Sequence, residues 1–282
     1  MNSIVKPLSK GLNMKMLKGG SIMGVEINKI YNEDCFITMS NMDDNFVDIV
    51  MTSPPYNMTA RKGGYADSGR YDVYEDWMTE TEYIEFTIKL FNNFNRIVKP
   101  NGVVLYNFSY SIENPSLPYK LVAEIVDQTE WCVADTIMWK KDCGLPFPAN
   151  ERRLSRNWEF VWVFVRKNEI DTFKCNKGVT SVSEKTGQKY YNIFYNYIEA
   201  KNNDGKTHGL NQATYSTELC EKLFNIYADE GYVVYDPFMG TGTTANACVL
   251  NGLNYIGSEL SSKQCEYAKN RIEENENNLF SL

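Results

Sequence analysis

The stretch Tyr232-Val233-Val234-Tyr235-Asp236-Pro237-Phe238-Met239-Gly240-Thr241-Gly242-Thr243-Thr244 limits the possible folds more than any other part of the chain. Its first four residues are aromatic or β-branched, as a buried strand requires. Gly240 and Gly242 then permit a tight turn and a close approach of backbone to a ligand, and the residues from Thr243 to Asn251 read as a helix. A strand that turns through glycines into a helix is a unit of an open α/β sheet, where ligands bind beyond the carboxyl ends of the strands. The free amides of the helix terminus favour a negative group, a carboxylate as well as a phosphate. Twenty-three residues past Asp236 the next strand ends at Glu259, placed to accept both hydroxyls of a ribose. Such a pocket suits a nucleoside bearing a carboxylate. The glycine spacing departs from G-x-G-x-x-G and no Lys follows, which counts against nicotinamide dinucleotides and nucleoside triphosphates. The bland alternative is a plain strand-helix turn.

A second strand ends in different chemistry. Phe46-Val47-Asp48-Ile49-Val50-Met51 reads as buried, and the proline pair in Thr52-Ser53-Pro54-Pro55-Tyr56-Asn57 forbids its continuation in a sheet. Consecutive prolines have carbonyls but no amide hydrogens, so this loop accepts hydrogen bonds without offering competing donors. Ser53 adds a hydroxyl oxygen. A primary amino group, with two hydrogens to give, is the complementary ligand. Tyr56 supplies a ring on which a planar base stacks, a contact of about 1–3 kcal/mol. With its hydrogens held by Ser53 Oγ and the Pro54 carbonyl, such a nitrogen has its lone pair free for attack on a methyl sulfonium. The alternative is a strand terminator with a surface tyrosine.

Between and beyond these loops, short apolar runs alternate with amphipathic stretches, the signature of an α/β sheet. Tyr83, Phe86, Leu90, Phe91, Phe94, Ile97 and Val98 recur at helical spacing, and Pro100-Asn101-Gly102 turns the chain into a strand from Val103 to Phe108. A helix over Tyr119–Asp127 and strands over Val133–Trp139 and Trp158–Val165 follow, with Trp139, Trp158 and Trp162 expected in the core. The last part reads as helix Ser216–Tyr227, strand Tyr232–Tyr235, helix, strand Asn254–Ser258 and helix Ser261–Glu274. The expected fold is a doubly wound, mostly parallel twisted sheet, interrupted between Arg166 and Lys206, where periodicity fades.

Composition narrows the function. With 29 Lys and Arg against 36 Asp and Glu, the formal charge is −7, which argues against a protein that coats nucleic acid nonspecifically. Residues 151–206 are basic all the same, with eleven Lys and Arg against seven acidic residues. Seven scattered cysteines without a C-x-x-C pair and a single histidine, His208, favour reduced thiols over a disulfide frame and leave no metal site to expect. No apolar run is long enough to span a membrane and no signal peptide is visible, so a cytoplasmic protein is expected. Residues 1–23 hold Lys6, Lys10, Lys15 and Lys18 and no acid, and are expected to be a disordered leader. They read either as a basic arm or, because Lys18-Gly19-Gly20 matches a translated ribosome-binding sequence, as residues preceding a start at Met23.

The two loops resemble the signature pair of the DNA amino-methyltransferases, a D-P-F-x-G-x-G-T-T cofactor motif and a [DNS]-P-P-[YFW] catalytic motif. The catalytic motif comes first here, as in the circularly permuted beta group of that family, whereas RNA and protein-glutamine methyltransferases with a similar loop usually run the other way. Ile30-Tyr31-Asn32-Glu33-Asp34-Cys35 is similar to the family's opening strand, with Glu33 in place of glycine, and Arg96 to Gly102 is similar to its R-x-L-K-P-G-G helix exit. Asn211 to Leu219 matches the family's H-P-A-x-F-P segment poorly, so no contacts are assigned there.

The resemblance implies a Rossmann-like methyltransferase fold, with S-adenosyl-L-methionine as methyl donor and double-stranded DNA as partner, the target base flipped out of the helix. It assigns Ser53, Pro54, Pro55 and Tyr56 to catalysis and Asp34, Asp236, Phe238, Gly240, Gly242, Thr243 and Glu259 to the cofactor. Residues 24–165 form the catalytic half, 166–206 the target-recognition insertion and 207–282 the cofactor-binding half. Arg61 and Lys62 after the catalytic loop, and Arg152, Arg153 and Arg156, are candidate DNA contacts or simply solvated charge. Ser53 at the head of the motif leans towards cytosine N4, Asn57 towards adenine N6, and cytosine is held slightly ahead. A restriction endonuclease partner or none, and a monomer or homodimer, stay open, as do RNA or protein as substrate and an inactive DNA-binding relative. Asp236→Ala is expected to weaken the cofactor site alone and Tyr56→Ala the base site alone.

Overall fold

The computed structural model describes residues 24–57, 78–110, 114–145, 151–152, 154–205 and 214–279, and the expected leader lies outside them. In chain order the elements are β1 (Lys29–Tyr31), α1 (Cys35–Asn41), β2 (Val47–Thr52), α2 (Glu80–Ile97), β3 (Val98–Phe108), α3 (Leu117–Gln128), β4 (Trp131–Leu145), β5 (Arg156–Arg166), β6 (Val179–Val182), β7 (Lys189–Tyr191), β8 (Tyr197–Ala200), α4 (Thr217–Tyr227), β9 (Val233–Asp236), α5 (Thr243–Leu250), β10 (Asn254–Ser258) and α6 (Ser262–Leu279). None of the helices among the described residues is long and apolar enough to cross a membrane.

Eight strands form one sheet in the order β1-β10-β9-β2-β3-β5-β4-β8. Neighbours pair parallel except at β3–β5 and β5–β4, so β5 alone runs against the rest. The expected doubly wound, mostly parallel sheet is the one formed. Successive strand residues face opposite sides, and both sides of the central strands are apolar. Ile49, Met51, Val103 and Leu105 pack with Leu219 and Leu223 of α4, Ala245 of α5 and Ala268 of α6. Val50, Val104 and Tyr106 face the other layer, with Met39 of α1, Leu90 and Phe94 of α2 and Leu121 of α3. Helix α2 buries the stripe its spacing foretold, Tyr83, Leu90, Phe91, Phe94 and Ile97. Thr79 and Glu82 close a capping box at its start, a device worth about 1 kcal/mol. Trp139 and Trp162 are buried as expected, and Trp158 is half-buried.

The topology brings the two loops together. From β2 the chain continues through α2 to β3 on one side, and from β9 it continues through α5 to β10 on the other. Strand order therefore reverses between the neighbours β2 and β9, which leaves a crevice at their carboxyl ends.

Some local expectations shift. Pro100-Asn101-Gly102 does not precede β3 but lies within it. Asn101 takes a left-handed φ of 63°, and regular pairing resumes only at Ile49 opposite Val103. Helix α1 and the strands β6, β7 and β8 carry too few periodic residues to stand out in the sequence.

The stretch 166–206 divides instead of forming one insertion. The Arg166 guanidinium donates to Asn95 Oδ1 (2.9 Å), to the carbonyls of Asn95 and Lys99 (3.0 Å each) and of Val98, and pairs with Glu169 (3.2 Å). Phe173 and Cys175 pack against the core, and the Asn176 amide bonds to the Ile226 carbonyl at 2.7 Å. Residues 166–176 thus belong to the catalytic body, and so does β8, which pairs with β4 and buries Ile198 and Ala200. Only the hairpin β6–β7 stands apart, paired with itself and exposed throughout. Because α4 ends at Tyr227 before β9 begins, the anchor at Ile226 lies at the edge of the sheet away from the crevice.

Arg166 satisfies several carbonyls at once, so Arg166→Met is expected to cost about 3 kcal/mol of stability, the scale for removing one partner from a buried charged network. Urea unfolding would show it as a lower midpoint at unchanged slope, and an unchanged midpoint would refute it.

Candidate active site

Thr52 ends β2, and the next five residues form a loop held on several sides. Ser53 Oγ donates to the Tyr56 hydroxyl at 2.9 Å. The Tyr83 hydroxyl on α2 donates to the Pro55 carbonyl at 2.6 Å. Asn57, at a left-handed φ of 51°, clasps Met78 through two hydrogen bonds of 2.8 and 2.7 Å. The Tyr56 ring lies against Phe108, centroids 4.7 Å apart, and its hydroxyl reaches Asn107 Oδ1 (2.9 Å) and Glu159 Oε2 (3.2 Å).

The glycine loop leaves β9 through two left-handed residues, Gly240 at φ 55° and Gly242 at φ 82°. Gly242 is the N-cap of α5, and no side chain caps that helix. The amides of its first turn have no partner within the helix. At Gly242 a Cβ would stand 2.7 Å from the Ala268 Cβ on α6, so glycine lets the helix pack here. Glu259, at the end of β10, accepts from the amides of Gly240 and Ser261 at 2.8 Å each.

Asp236 joins the two loops. One carboxylate oxygen accepts from Thr52 Oγ1 (3.1 Å) and the Phe238 amide (3.0 Å). The other accepts from Tyr215 Oη (2.9 Å) and Thr244 Oγ1 (2.5 Å). Burial pushes its pKa up, while the bonds from Thr244, Phe238, Tyr215 and Thr52 pull it back. Burial likewise raises the Tyr215 phenol well above its usual range, so it stays a donor.

One cavity opens onto both loops. Of the residues expected from the sequence, Asp34, Ser53, Pro55, Phe238, Gly240, Thr243 and Glu259 line it. Asp34 caps α1, accepting from the Phe36 amide at 2.8 Å. Pro54 is buried and Tyr56 half-buried, both outside that lining, and Asp236 and Gly242 support the loop from within. Asp236 is sealed by its four donors, and Gly242 packs closely against Ala268 of α6. The bond from Thr52 also ties Asp236 to the proline loop.

The cavity has further walls that sequence reasoning missed. Phe86, expected on the buried face of α2, is half-buried and faces the cavity. Thr214 and Tyr215 line it from the poorly matching segment before α4. Pro237, adjoining Asp236 in the motif itself, was an available signal, whereas Leu260 and Gln264 had none. Thr241 also lines this cavity, and its Oγ1 has no hydrogen-bond partner among the described residues although Thr241 is only 1% exposed.

The candidate DNA contacts fare unevenly. Arg61, Lys62 and Arg153 lie outside the described residues. Arg152 is exposed and pairs with Glu151 at 3.0 Å, while Arg156 stacks over the Tyr110 ring (4.9 Å) and donates to its carbonyl. Arg156 therefore braces the start of β5. Among the described residues no cluster of His, Cys, Asp and Glu could hold a metal ion.

Sheet, crevice and paired loops define an α/β enzyme that brings a nucleoside ligand against an amino-group substrate. A family model described as DNA methylase, of the N6/N4 type, matches residues 47–270, and the chain belongs to that family. The Type II methyltransferase M.HpaI of Haemophilus parainfluenzae is 23% identical over 253 residues, spanning 86% of this chain and 74% of the relative. M.HinfI, a Type II methyltransferase of Haemophilus influenzae, is 25% identical over 264 residues, 88% of this chain and 69% of the relative. Among solved structures, the cytosine-N4-specific PvuII DNA methyltransferase superposes with a TM-score of 0.67 at 18% identity, covering 88% of this chain and 87% of that one. M1.HpyAVI solved with SAM gives a TM-score of 0.56 at 24% identity, covering 86% of this chain and 98% of that one.

Asp236→Asn would turn one acceptor into a donor facing donors. It is expected to lower stability by about 1–3 kcal/mol and to weaken nucleoside binding and turnover together; loss of nucleoside binding with normal turnover at saturation would sever the link through Thr52. Gly242→Ala is expected to cost about 1–2 kcal/mol from the left-handed backbone alone, read by thermal unfolding, and an unshifted transition would mean that neither the backbone nor α6 resists a Cβ there.

Proposed function

We propose that the chain methylates the exocyclic amino group of a flipped base in double-stranded DNA, with S-adenosyl-L-methionine as donor, cytosine N4 ahead of adenine N6. What supports this reading most is a single cavity onto which Ser53 of the proline loop and Phe238, Gly240, Thr243 and Glu259 of the nucleoside loop all open. The residues fit the donor. The uncapped terminus of α5 and the unpartnered Thr241 hydroxyl suit its carboxylate, Glu259 suits the ribose hydroxyls, and Phe86 and Phe238 suit the flat adenine. When bound, this group supplies a methyl on a positively charged sulfur.

The chain's own part is positioning and charge placement. Ser53 Oγ and the Pro54 carbonyl accept the two amino hydrogens of the base, leaving the nitrogen lone pair free. The half-buried Tyr56 ring, braced by Phe108, offers its remaining surface to the base. We assign these roles to Ser53, Pro54 and Tyr56, with Pro55 shaping the cavity wall. The DNA enters from the crevice side, and no role in target recognition is carried over to the β6–β7 hairpin, whose root is fixed at the far edge.

Methylation-sensitive sequencing of DNA from cells expressing the chain tests the reading. One sequence motif modified at an amino nitrogen is expected, cytosine N4 first; unmodified DNA with labelled methyl passing to RNA or protein would refute it. Ser53→Ala is expected to lower kcat about 100-fold, the scale for one misplaced polar contact to the reacting group, with donor affinity unchanged. Wild-type turnover in that variant would remove Ser53 from the chemistry.

A further inference from the structure

Behind the catalytic loop lies a polar chain that the transfer reaction itself does not require. Lys141 Nζ of β4 pairs with Glu159 Oε1 of β5, both side chains being less than one-fifth exposed. Glu159 Oε2 lies 3.2 Å from the Tyr56 hydroxyl and 3.3 Å from Asn107 Nδ2. Asn107, 1% exposed at the end of β3, also donates from Nδ2 to the Phe160 carbonyl at 2.9 Å. Its amide orientation is thereby set, and Oδ1 is the atom that meets Tyr56, at 2.9 Å. Ser53 Oγ stands on the other side of the same hydroxyl, at 2.9 Å.

Counting protons fixes the direction of this chain. Tyr56 has one hydroxyl proton, and Asn107 Oδ1 and the ion-paired Glu159 carboxylate offer only acceptors. The proton is committed to them, so towards Ser53 the Tyr56 oxygen is an acceptor. Ser53 must then turn its own single proton to Tyr56, leaving only lone pairs on Oγ for the cavity. A serine without this constraint rotates to donate or accept as the ligand demands.

We propose that Glu159 and Asn107, acting through Tyr56, are positioning residues that hold Ser53 as a pure acceptor, so that the site takes a base with an amino group and refuses one with a carbonyl at the same place. The inference rests on the reading that Ser53 meets the exocyclic group of the base. It adds a means of discrimination: cytosine is admitted and uracil or thymine is not, or adenine is admitted and hypoxanthine is not. A carbonyl set against fixed lone pairs loses its hydrogen bond and meets like charge, a stronger barrier than shape alone provides.

The test uses the full chain and duplexes carrying the sequence motif that methylation mapping reveals. In one duplex the target base is native, in the other its amino group is replaced by a carbonyl. An abasic position faces the target in both, so that unpairing costs are equal. Wild type is expected to bind the amino duplex at least about tenfold more tightly, the scale of one unmade buried hydrogen bond. Tyr56→Phe is expected to shrink that preference to within about threefold and to lower kcat more than it raises KM, while donor affinity stays unchanged; Glu159→Gln leaves Asn107 Oδ1 to take the Tyr56 proton and is expected to shrink the preference by a smaller factor. Adding Glu159→Gln to Tyr56→Phe should change the preference no further, because the link is already cut. A preference undiminished in either variant, or two losses that add, overturns the proposal. If Glu159→Gln fails to fold, as thermal unfolding and donor binding would show, Tyr56→Phe decides alone, since it removes a single oxygen. Absence of methyl transfer by wild type to the native duplex would instead refute the proposed function.

Discussion

A carboxylate sealed from water must be surrounded by donors or it destabilises the fold. Around Asp236 these donors come from the end of β2, the approach to α4, the glycine turn and the first turn of α5. Elements far apart in sequence thus meet at one side chain. The distance between the proline loop and the nucleoside loop follows from those bonds, since Thr52 precedes Ser53 directly and Phe238 lines the cavity. A flexible junction would let two ligands bind without meeting in a productive geometry, and bringing reacting groups into register is where much of the advantage of an enclosed site arises. The charge that makes Asp236 costly to bury is also what makes its four bonds strong.

Features written in local turn chemistry were legible in the sequence. The proline pair ended β2 where expected, the glycines opened α5, and Glu259 closed β10, because each follows from what one residue type permits its own backbone to do. The layered sheet was legible for a similar reason, since period-two and period-3.6 patterns report which faces are apolar. What stayed hidden depends on register between distant strands. Asn107 and Glu159 are polar residues in strands with nothing local to mark them, and only the pairing of β3 with β5 sets them beside Tyr56. Phe86 sits on the expected face of α2, but within the first two turns of the helix, where the core gives way to the cavity. Asp236 lies between these cases: its motif was plain, but its bond to Thr52 depends on the pairing of β2 with β9.

The relatives differ from this chain at about three positions in four, and the PvuII enzyme is only 18% identical, yet its fold superposes over 88% of this chain. Packing explains part of this tolerance. Most strand positions need only an apolar side chain of suitable volume, and cores accept such exchanges at small cost when volume is kept. Positions whose role is a hydrogen-bond direction allow no such freedom, because an amide or hydroxyl in place of a carboxylate alters which atom donates.

The reversed strand β5 has a consequence for how the molecule can vary. Its first residues stand near the reaction centre and its last, Arg166, is pinned beneath the sheet by the carbonyls of Asn95, Val98 and Lys99. The chain that follows must therefore climb the whole height of the sheet, by way of β8, before Asp204 can meet Thr217 and Arg271 at the head of α4. The hairpin hangs from the foot of that climb, with fixed attachments before and after it. Residues can be exchanged, added or removed there without disturbing the chemistry above, which makes the far edge of the sheet the place where enzymes built on this plan are free to diverge.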